Sequence, residues 1–144
     1  RVPRKRRGRQ LVNTTTTTAA IAEAIDELTE TFADAIITTE DDGAGGAWVT
    51  ISDVPLGPVY EQESSWIAFQ ITFPYPEADV YPLFVRPDLR RKDGGAHGEG
   101  FQAAQWGPRA ETGTQLSRRS NRLDPAIDTA ATKVLKVLKW LSEQ

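Results

Sequence analysis

The chain has no cysteine, no methionine, a single histidine, and no lysine or arginine between Gln10 and Val85. Without cysteine there is no disulfide framework, no thiolate metal ligand and no thiol nucleophile. The single histidine leaves almost nothing for a histidine-based metal site or a relay of imidazoles. No apolar run approaches the roughly 20 residues that cross a bilayer, and Arg1 to Arg9 leads into threonines instead of the apolar stretch of a signal peptide. A soluble, cytoplasmic chain is the expectation. Neither a cofactor nor a metal is expected.

Charge is strongly segregated. Arg1 to Arg9 carries six basic residues, Gln10 to Val85 thirteen acidic residues, and Arg86 to Gln144 eleven basic and seven acidic ones, which together give the net charge of -3. The sign of the surface field should therefore differ from one part of the molecule to another and bias which partners approach. Residues 1–12 are too charged and too poor in apolar groups to pack, and read as a basic arm preceding one domain over residues 13–144.

Within that domain, Ile21, Ile25, Leu28 and Phe32 recur at helical spacing with Glu23, Asp26, Glu27 and Glu30 largely off the stripe, as an amphipathic helix requires. Ala33 to Thr39 then reads as a strand ending in the glycine-rich turn Glu40 to Gly46. Asp41 and Asp42 in that turn lack the spacing of a calcium loop. Ala47 to Val54 is a second strand. In the third, Ile67, Phe69, Ile71 and Phe73 alternate with smaller or polar residues, which places four large groups on one face. Pro74, Pro76 and Pro82 interrupt pairing and force a corner before Tyr81, Leu83 and Val85 resume the alternation. Trp48, Tyr60 and Trp66 are expected to pack in the core or on the sheet face.

Arg86 to Arg122 is irregular by pattern and long for a loop, so any site would lie there. Asp124 and Pro125 resemble an N-cap and first helical position, with Ile127, Ala131, Val134, Leu138 and Leu141 as the buried stripe and Lys133, Lys136 and Lys139 on or beside the opposite face. The expected fold class is α+β: an N-terminal helix, a four-stranded antiparallel meander, a long irregular loop and a C-terminal helix.

This order, with Trp48, Ile51, Tyr60, the run Phe69-x-Ile71-x-Phe73-Pro74 and the pair Tyr81-Pro82, resembles the ubiquitin-conjugating-enzyme fold, which also includes catalytically dead variants and RWD domains. The resemblance covers Ala19 to Pro87, about half the chain. Gln115 to Arg122 (QLSRRSNR) is similar to a segment of bacterial relatives of that fold. Active members carry a cysteine roughly ten residues after a His-Pro-Asn triplet, its thiolate accepting the modifier as a thioester. Here His97 is followed by Gly98 and Glu99, and no cysteine follows. Alanine is the usual replacement for such a cysteine, and Ala103 and Ala104, six and seven residues after His97, lie near the position expected for it.

The resemblance implies a conjugating-enzyme-like member of a ubiquitin-like modification pathway. Lacking the thiol, it would serve as a non-catalytic module that binds the modifier or an activating-enzyme-like protein. An alternative is an active transferase whose cysteine is absent from this chain, or one that uses His97 or a hydroxyl such as Ser117 or Ser120. Another is a nucleic-acid-binding domain that uses Arg1 to Arg9 together with Arg118, Arg119 and Arg122. The candidate residues are thus His97 for catalysis and Arg118, Arg119, Asn121, Arg122 and Trp106 for binding. Arg118 and Arg122 would share a face if their segment were helical, and would either hold a partner's carboxylates or phosphates or pair with the acidic first helix.

Overall fold

The computed structural model describes residues 17–144; the basic arm expected over residues 1–12 lies outside them. Helix α1 spans Ala19–Thr31, started by Thr18, whose Oγ1 accepts a hydrogen bond from the Ile21 N–H at 3.1 Å. It buries Ile21, Ala24 and Leu28, while Glu23, Asp26 and Glu30 face solvent. Six strands follow: β1 (Ile37–Asp41), β2 (Ala47–Pro55), β3 (Ser64–Ile71), β4 (Leu83–Val85), β5 (Phe101–Trp106) and β6 (Glu111–Leu116). Helix α2, Ala130–Ser142, ends the sequence of elements. The strands form one antiparallel sheet in the order β1-β2-β3-β4-β6-β5.

The expected four-stranded sheet is therefore incorrect: among the described residues there are six strands. The first four lie side by side in chain order, but the segment expected to be an irregular loop holds a hairpin, Phe101–Trp106 and Glu111–Leu116, that extends the sheet. Its turn is closed by the Ala110 N–H donating to Gly107 O at 3.1 Å, with Gly107 at φ 77° and Ala110 at φ 53°. The hairpin docks through β6, where Leu116, Gln115 and Thr114 pair with Leu83, Phe84 and Val85. A β-carbon on Gly113 would stand 3.0 Å from Trp106 Cδ1 and 3.1 Å from Val85 O, so a glycine there lets the indole lie against its neighbouring strand.

Both helices cover one sheet face. Val49, Ile51, Ile67, Phe69, Ile71, Leu83, Val85 and Leu116 point into that core, where they meet Ile21 and Leu28 of α1 and Val134, Val137 and Leu141 of α2. Phe73 was expected to join them and does not; its side chain is 60% exposed. Strand β3 ends at Ile71, and a turn in which the Tyr75 N–H donates to Thr72 O breaks the alternation before Phe73 can use it. The first strand begins at Ile37 and not at Ala33, because the chain turns after α1 and leaves Ile36 73% exposed. Helix α2 likewise starts later than Asp124. Thr129 Oγ1 accepts from the Thr132 N–H while Thr132 Oγ1 accepts from the Thr129 N–H, a reciprocal cap five residues after the N-cap expected at Asp124. Asp124 instead closes a turn, its carbonyl accepting the N–H groups of Ile127 and Asp128, and Ile127 is 71% exposed.

Two phenylalanines in one sequence pattern should thus behave differently. Phe69→Ala empties a fully buried site and is expected to cost about 3–5 kcal/mol, whereas Phe73→Ala should cost about 1 kcal/mol or less. Urea unfolding of both variants checks this; equal midpoint shifts would contradict the placement of the strand end.

Candidate functional site

The arginine-bearing segment Ser117 to Arg122 joins the inner hairpin strand to the turn before α2, and it is extended and turned, not helical. The expected helical face shared by Arg118 and Arg122 is absent. Other contacts set the segment's shape. The Ser117 N–H donates to Gly100 O at 2.8 Å, which continues the hairpin ladder by one bond. Three residues later, the Ser120 N–H and Oγ–H donate to the two carboxylate oxygens of Asp79 at 2.7 and 2.8 Å. Lys133 of α2 completes the junction, donating from Nζ to both Asp79 oxygens at 3.0 and 2.9 Å and to Ser120 Oγ at 3.1 Å.

Lys133 had been expected on or beside the exposed face of α2, yet its side chain is only 8% accessible. It stands three residues from Ala130 and four from Val137, both buried, so helical geometry turns it inward. An ammonium there needs a counter-ion, and Asp79 from the proline corner supplies it. Burial alone would raise the Asp79 carboxyl, but the Ser120 N–H, the Lys133 ammonium and the Ser120 hydroxyl together hold it below its ordinary value of 3.8.

With Ser120 fixed, the flanking guanidinium groups project from an anchored backbone. Arg118 lies over the Trp140 indole with its guanidinium carbon 4.8 Å from the ring centroid, and Arg119 over Tyr81 at 4.0 Å. Stacking restricts each side chain while leaving its N–H edges available. Arg118, Arg119, Asn121 and Arg122 line a cavity of about 560 Å³ together with Lys136 and Trp140. Among the described residues no carboxylate lies within ion-pair distance of Arg118, Arg119 or Arg122. The alternative expectation, pairing with the acidic face of α1, is not realised. Asp128, which also lines the cavity, stands 3.6 Å from Lys136, and Asp79 is engaged by Lys133.

His97 sits behind this segment. A carbonyl only accepts, so the 2.9 Å contact to Leu89 O places the imidazole proton on Nε2 and leaves Nδ1 buried without a partner. The ring is stacked on Phe101 at 4.6 Å, Phe101 is stacked on Trp140 at 5.1 Å, and Tyr60 stands 6.1 Å away on the other side. His97 is thus one layer of an aromatic column that ends under Arg118. Tyr60 donates its hydroxyl to Leu141 O at 2.8 Å, and burial, opposed by nearby Arg91, pushes it up to about 12. Ala103 and Ala104 lie in strand β5, the first exposed and the second half-buried.

Trp106 does not join the arginines. It packs on the opposite face of the sheet with Ala68, Phe84, Trp48 and Trp66, and its indole nitrogen is buried without a partner. The candidate residues therefore divide between two surfaces. Sequence reasoning named neither Trp140 nor Tyr81 as an arginine platform, nor Asp79 and Lys133 as an anchor. For Lys133 a signal existed in its spacing from Ala130 and Val137.

Among the described residues no three His, Cys, Asp or Glu side chains are grouped to hold a metal ion, and no helix is long and apolar enough to cross a membrane. No protein-family model matches the chain, and no curated protein or solved structure matches it.

The anchor makes a prediction about pH. Because the folded state lowers the Asp79 pKa, the associated stability is complete above the unfolded value and is lost as the pH falls below about 4. The Asp79→Asn variant should therefore show a shallower loss of stability on acidification than the parent, measured by urea unfolding at a series of pH values. At neutral pH, Lys133→Ala should cost about 3 kcal/mol or more, since it leaves a partly buried carboxylate unpaired.

Proposed function

We propose that this chain is a recognition module which binds an acidic or carboxylate-terminated protein segment through Arg118, Arg119 and Arg122, and that it works by reversible association. The carrying observation is the combination of three guanidinium groups without carboxylate partners and a backbone held rigid at Ser120. Desolvating and ordering flexible arginines usually opposes binding, and here Trp140 and Tyr81 have already restricted two of them. Guanidinium forks match planar carboxylates two bonds at a time, so such a surface recognises a chain terminus or an Asp/Glu-bearing loop.

The conjugating-enzyme-like order of the opening elements favours one setting: a ubiquitin-like modification pathway, in which this module holds the modifier or an activating-enzyme-like protein. The sequence has no cysteine, so it lacks the thiol on which a thioester would form. His97 supports the same reading, because one ring nitrogen is engaged by Leu89 and the other is buried. A phosphate-bearing partner would meet the same guanidinium groups, and is tested as a separate outcome.

The experiment is a titration of the full chain against a fluorescently labelled ubiquitin-like modifier, with and without an activating enzyme and ATP. Reversible binding that survives reductant, and that Arg118→Glu with Arg119→Glu reduces by about tenfold or more, is expected. A reductant-insensitive covalent adduct would establish a transferase and refute association alone. Binding to a labelled oligonucleotide but not to the modifier, with affinity falling steeply as salt rises, would assign the arginines to phosphates instead.

A further inference from the structure

The sheet face away from the helices carries a second surface. Trp106 is its floor, 9% exposed, and the indoles of Trp48 and Trp66 flank it at centroid distances of 6.0 and 5.1 Å, inclined to it by 47° and 40°. Together with Thr38, Thr50, Pro108 and the charged residues Glu40, Arg109 and Glu111, they line a cavity of about 320 Å³. Three of the four tryptophans in the chain converge on this one hollow.

Charge decides what fits there. The lining carries two carboxylates against one guanidinium, so its net charge is negative. Glu40 accepts two hydrogen bonds from Arg109 at 2.9 and 3.0 Å, whereas Glu111 stands 3.7 Å from the same guanidinium and is only loosely engaged. Indole faces present negative quadrupole to a cation, and tryptophan is the strongest such partner among the side chains. From these residues we infer that the trough binds an alkylammonium group, such as the side chain of a lysine or an N-methylated amine carried on a partner peptide. The tryptophans supply the face contacts, Glu111 the counter-charge, and Arg109 competes for both. This surface is independent of the arginine segment, so either assignment can fail without the other.

The indole N–H signals of the ¹⁵N-labelled full chain provide the test. Tetramethylammonium chloride is titrated at matched ionic strength against sodium chloride, with 3,3-dimethylbutan-1-ol as the neutral isostere and methyl α-glucoside as a sugar probe. Saturable shifts of the Trp48 and Trp66 signals with tetramethylammonium, leaving Trp140 unmoved, are expected. Glu111→Gln should weaken that binding about threefold or more, and Arg109→Gln, which removes the competing cation, should strengthen it about threefold. Both substitutions are at exposed positions, so folding is retained, and unchanged dispersion of the remaining signals verifies it. Equal affinity for the neutral alcohol would show an apolar hollow and overturn the inference. Shifts with the glucoside alone, or weaker binding in Arg109→Gln, would overturn it as well.

Discussion

The Lys133 ammonium, enclosed between Asp79 and Ser120, is the interaction on which the arrangement of this molecule depends. It joins three parts of the chain that are far apart in sequence: the proline corner, the arginine-bearing connection and the closing helix. Taking two charges out of water is costly, and this pair offsets the cost because Asp79 also accepts two bonds from Ser120. What the junction gains is position more than stability. It fixes the backbone between Arg119 and Asn121, so the flanking guanidinium groups reach their aromatic platforms from a set origin.

Those platforms extend the same constraint inward. Trp140 supports Arg118 on one side and stacks on Phe101 on the other, and Phe101 in turn carries His97. Side chains from α2, strand β5 and the preceding loop are thereby placed in register. The Tyr60 hydroxyl bonded to Leu141 O ties the far end of α2 to the segment between strands β2 and β3. The helix is held at both ends, and the candidate binding surface lies on the segment that leads into it.

Much of the fold was legible because burial imposes a period. Ile67, Phe69 and Ile71 alternate as strand residues facing one covered side must, and Ile21 and Leu28 lie on one stripe of α1. The hairpin was not legible by that rule. FQAAQW and ETGTQL are edge and near-edge strands built of alanine, glutamine and threonine, whose two faces differ little in polarity, so alternation leaves a faint trace. The Gly107-Pro108 pair between two six-residue stretches was the available turn signal. Of the candidate site, the arginines could be read from charge alone. Their segregation from Trp106 could not, because it follows from which sheet face each strand residue takes once the hairpin is paired. The start of α2 was misplaced for a related reason: Asp124-Pro125 and Thr129 both satisfy capping chemistry, and only the packing of Ala130 and Ala131 selects the second.

The two borders of the sheet differ in what they offer to another strand. Strand β1 ends in Glu40 and Asp41, whose like charges disfavour the approach of a copy of itself. Strand β5, the opposite border, holds no charged residue, proline or bulge along its length. Its outward amide groups are a template for one more antiparallel strand, and growth from that border lengthens the sheet sideways while leaving the helix-covered face and the tryptophan-bearing face as they are.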